Sequence, residues 1–64
     1  MTSDARVDAV QRLETALVEE DRVGERYRAA IGTSSELTAY ARLQGASSEV
    51  SARAAWLKSI DDER

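Results

Sequence analysis

The chain has 64 residues, 42% of them hydrophobic, with nine Lys and Arg against twelve Asp and Glu and a formal net charge of −3. That length confines it to one small domain, residues 1–64, with a limited core. The absence of cysteine and histidine excludes disulfides, Cys/His zinc sites and catalysis by either side chain.

There is no proline and only three glycines, and alanine, arginine and glutamate are abundant, so the expected fold class is all-α. The opening Met-Thr-Ser-Asp-Ala-Arg lacks the apolar core of a signal peptide. No run approaches the ~20 apolar residues that span a bilayer, so a cytoplasmic protein without membrane contact is expected.

The spacing predicts a first helix over 4–31, capped by Ser3 or Asp4. Val10, Leu13, Leu17, Gly24, Tyr27 and Ile31 fall on one stripe, which Ala9, Ala16 and Val23 widen into a seam for another helix. Asp8 with Arg12, and Glu25 with Arg28, are placed to pair along its surface. At Gly32-Thr33 a turn is expected. A glycine after the last apolar position suits a left-handed C-cap, and Thr33 with Glu36 has capping-box spacing. So short a connection makes the two helices antiparallel neighbours.

A second helix is predicted over 34–60, with Ala39, Leu43, Ala46, Val50, Ala54 and Leu57 in its stripe and Tyr40 and Ile60 on the flanks. The stripe passes Gly45 without a change of phase, which favours one continuous helix. Gly24 is expected opposite Tyr40 to Leu43, where its missing side chain allows close packing. The tail 61–64 is expected to fray, because acids at a helix C-terminus oppose the macrodipole.

An alternative divides the second half into two helices that break at Gly45, giving three short helices. Ala41-Arg-Leu-Gln-Gly45-Ala-Ser47 resembles the alanine, turn glycine and helix-starting serine of bacterial helix-turn-helix repressors. Val50 stands three residues after Ser47 where that family places its apolar residue four after the serine. The resemblance implies a small DNA-binding regulator that reads the major groove with residues 47–56. Against it stand the net negative charge and a poor set of base-reading side chains, Arg53 apart.

No site for chemistry emerges. The serines have no base to activate them, and no phosphate loop or dinucleotide fingerprint is present. Glu19-Glu20-Asp21 and Asp61-Asp62-Glu63 lack the spacing of a calcium loop and read as solvated helix faces. No enzyme, cofactor or metal is expected. Some apolar side chains fall outside the mutual seam: Val7 and Val18 on the first helix, and Trp56 with Ile60 and the stem of Arg53 on the second. The expected protein is therefore a coiled-coil-like helical hairpin that self-associates into a four-helix bundle. Its expected role is a non-enzymatic interaction module, as an oligomerisation or docking element, small regulator or assembly component. Its partners are then itself, most simply as a homodimer, or another protein.

Overall fold

The computed structural model describes residues 2–62 as two helices, α1 (Thr2–Ala30) and α2 (Glu36–Asp62), packed as an antiparallel hairpin. The helices have 29 and 27 residues, and the molecule measures 48 × 14 × 10 Å. Its radius of gyration is 14.8 Å, whereas a compact chain of this length would have about 11 Å. The helix boundaries differ from the sequence expectation by about two residues. Ser3 and Asp4 lie inside α1 rather than capping it, and Asp61 and Asp62 belong to α2 rather than to a tail. Glu63 and Arg64 lie outside the described residues.

The turn is built as the local chemistry requires, with one shift. Gly32 has φ 84°, the left-handed C-cap conformation that a side chain would strain. The Thr33 amide donates to the Ala30 carbonyl at 3.0 Å, and the Thr33 hydroxyl donates to the same oxygen at 2.6 Å. The expected capping box is displaced by one residue at each end. The Thr33 hydroxyl accepts from the Ser35 amide at 3.2 Å, and the Glu36 carboxylate accepts from the Gly32 amide at 2.8 Å. Ser35 then accepts the first bond of α2, from the Ala39 amide.

Four contacts fix the register: Gly24 against Leu43, Tyr27 against Tyr40, Glu20 against Ser47, and Arg6 against Asp61. In each pair the residue numbers add to 67. The same register brings Leu17 level with Val50 and Val10 level with Leu57.

A heptad of less exposed positions runs along both helices. On α1 it is Ala9, Leu13, Ala16, Glu20, Val23, Tyr27 and Ala30, and on α2 Ala39, Leu43, Ala46, Val50, Arg53, Leu57 and Ile60; beside it Val10, Gly24, Glu36, Ser47 and Asp61 are half-buried too. Such a repeat is the seam of a coiled coil. The seam differs from the predicted stripe. Among the described residues Ala9 and Ala16 are the only buried ones, while Leu17 and Ile31 are 46% and 54% exposed at the seam's edge. Arg53 occupies the place predicted for Ala54, which is exposed. The physical reason is that small residues admit the partner backbone most closely, so alanines sit deepest and the larger side chains splay outward.

Gly45 lies in the interior of α2, so the break that three short helices would need is not formed. The residue faces outward, and a Cβ placed there meets nothing within 4 Å. Gly45→Ala should therefore stabilise the hairpin by up to ~1 kcal/mol through helix propensity alone, read as a higher urea midpoint at unchanged slope. At Gly24 a Cβ would stand 3.8 Å from Leu43 Cδ1, an ordinary contact, so close packing does not require that glycine.

Candidate functional site

The seam leaves two unlike flanks. One consists of the residues that follow every second seam position: Val10, Leu17, Gly24 and Ile31 on α1, and Tyr40, Ser47, Ala54 and Asp61 on α2. Outside them run Val7, Glu14, Asp21 and Arg28 on α1, and Leu37, Gln44, Ser51 and Lys58 on α2. Among the described residues seven large apolar side chains are strongly exposed, and five belong to this flank: Val7, Leu17, Ile31, Leu37 and Tyr40. Leu37 is 82% exposed. Near the middle a shallow hollow opens over Gly24, rimmed by Leu17, Asp21, Tyr27, Arg28 and Leu43.

The opposite flank is charged. Asp8, Arg12, Glu19, Glu49 and Arg53 line a groove there, with Arg12 on Asp8 at 2.8 Å and Arg53 on Glu49 at 2.7 Å. These are exposed pairs one helical turn apart, worth a few tenths of a kcal/mol each. Of the pairs expected along α1, Asp8 with Arg12 forms; among the described residues, neither Glu25 nor Arg28 makes an ion pair. Three of the acidic residues read as solvated are engaged, Glu19 with Arg22 at 3.7 Å across an exposed contact. Glu20 is half-buried in the seam and accepts from the Ser47 hydroxyl at 2.7 Å, and Asp61 accepts from Arg6 at 2.9 Å.

The structure does not bring the five predicted interface residues together. Val7 is on the apolar flank, 55% exposed, and Val18 is on the back of α1, 59% exposed. Trp56 stands on the charged flank, 54% exposed. Arg53 and Ile60 lie half-buried in the hairpin's own seam. The sequence reading passed over Leu37 and assigned Leu17 and Ile31 to the seam. The signal that identifies their flank is the line Val10, Leu17, Gly24, Ile31, spaced by seven and running beside the alanine line.

Helix α2 has almost no amphipathic bias, because its apolar residues are spread around its circumference. A helix of that kind is suited to contacts on more than one side. Among the described residues no cluster of three metal-ligating side chains occurs, and no helix is long and apolar enough to cross a membrane. No family model, curated protein or solved structure matches the chain.

Proposed function

We propose that the chain is a cytoplasmic, non-enzymatic protein–protein interaction module whose apolar flank is covered by another protein surface in its working state. One observation carries this reading: among the described residues only Ala9 and Ala16 are buried, while five large apolar side chains are exposed along one flank. A two-helix seam whose deepest residues are alanines excludes little apolar area, and domains below about 70–80 residues rarely gain more than ~3–5 kcal/mol from a single core. Large apolar side chains exposed together on one side of so small a molecule mark an interface. Covering it would supply the burial that the seam lacks.

The test is thermal unfolding of the isolated chain followed by far-ultraviolet circular dichroism over a wide range of protein concentration. The expected result is a broad, low-temperature transition at low micromolar concentration, the behaviour of a hairpin short of its partner surface. A sharp transition at high temperature that does not move with concentration would refute the reading, because the hairpin would then be self-sufficient.

A further inference from the structure

We infer that the occupant of the apolar flank is a second copy of this chain, stacked antiparallel so that α1 lies over α1 and α2 over α2 about a twofold axis level with residues 20–21. This rests on the interaction-module reading and specifies its partner. The first support is shape. Leu17 projects from the flank, 46% exposed, and the hollow over Gly24 lies seven residues further along the same line. A twofold axis midway between them seats each Leu17 over the other copy's Gly24, the self-complementarity that an isologous interface demands. The same axis brings Val10 over Ile31. On α2 the axis is level with residues 46–47, so it sets Tyr40 over the small Ala54 of the other copy and Leu37 between that copy's Ala54 and the stem of its Lys58.

The second support is charge. Glu14 and Arg28 flank the apolar line, both exposed, and among the described residues neither makes an ion pair within the hairpin. The axis that pairs Leu17 with Gly24 places each Glu14 opposite the other copy's Arg28. A parallel stack about an axis along the helices would instead set Arg28 over Leu37 and Tyr40, and Glu14 over Ala54, leaving both charges against neutral side chains. The antiparallel arrangement brings Asp21 level with its own copy, a like-charge cost that two Glu14–Arg28 pairs at the interface edge offset.

The experiment is sedimentation equilibrium on the full chain and on Glu14→Arg, Arg28→Glu and the double exchange, with far-ultraviolet circular dichroism to verify helix content. The parent chain should reach a dimer with rising concentration. Each single reversal sets two like charges against each other at both ends of the flank and should weaken the dimer by about tenfold or more. The double exchange restores opposite charges at both places and should recover most of the parent affinity. A dimer indifferent to the single reversals, or one that the double exchange fails to rescue, would overturn this arrangement while leaving the module reading intact. A chain that stays monomeric at high concentration yet melts at low temperature would reject self-docking alone. A monomer with a high, concentration-independent melting temperature would reject both.

Discussion

Ala9→Asp is expected to leave the chain mostly unfolded at low micromolar concentration, while Ala5→Asp, the same chemical change four residues earlier, should melt much as the parent does. Ala9 is 0% exposed and Ala5 is exposed on the outside of the same helix. Aspartate is too short to carry its carboxylate from the seam to water, so at position 9 it must stay charged and desolvated, become protonated, or push the helices apart. Each route costs about 3 kcal/mol or more, and the loss of helix propensity adds to it. The cations one turn away on α1 are already engaged, Arg6 with Asp61 and Arg12 with Asp8, each across an exposed contact. A penalty of that size is comparable with the whole ~3–5 kcal/mol that a core of this scale supplies. The measurement is the helical signal at low temperature together with the urea midpoint. A parent-like midpoint for Ala9→Asp would mean that the alanine seam is not what holds the helices together.

The elements and the turn were legible because their determinants are local. Helix length follows from an uninterrupted run without proline, and the connection follows from a glycine whose φ of 84° closes α1 and from Thr33 and Glu36 beside it. The continuity of α2 through Gly45 was legible from the unbroken phase of its stripe. The depth of each residue in the seam was not. Ranking by hydrophobicity puts Leu17 and Ile31 at the centre, but contact distance between two backbones is set by the smallest side chains, so Ala9 and Ala16 lie deepest. A polar residue inside the heptad is invisible to the same ranking. Glu20 and Arg53 stand at seam positions because the spacing places them there, and their neighbours Ser47 and Glu49 supply partners.

That shift in depth also decides the surface. Rotating the seam toward the alanines turns Leu17, Ile31 and Tyr40 outward, next to Val7 and Leu37, and assembles one apolar flank from residues that a deeper Leu17 would have scattered. Trp56, the most conspicuous candidate anchor in the sequence, is left on the opposite, charged side.

Replacing both members of the mid-seam hydrogen bond, Glu20→Leu with Ser47→Ala, is expected to raise stability and lower structural specificity together. Glu20 is a half-buried carboxylate in a heptad seam, joined to the Ser47 hydroxyl at 2.7 Å. Leucine at that position exchanges a partly desolvated charge for apolar burial, a gain of about 1–2 kcal/mol for a side chain that remains half covered. Changing Ser47 as well avoids leaving its hydroxyl without a partner. The loss is directional. Alanines contact one another almost equally well over a range of helix rotations, whereas a bond between one carboxylate and one hydroxyl holds a single rotation, and a polar pair in a coiled-coil seam fixes alignment at some cost in stability. The nearby ring pair Tyr27–Tyr40, with centroids 5.6 Å apart, reports that alignment. In the double variant the urea midpoint should rise while the nuclear Overhauser contacts between the two rings weaken and amide resonances broaden. A lower midpoint would show that the Glu20–Ser47 bond stabilises the hairpin outright. A higher midpoint with unchanged ring contacts would show that the seam aligns without it, leaving the turn and the other side chains to decide which faces the two helices present.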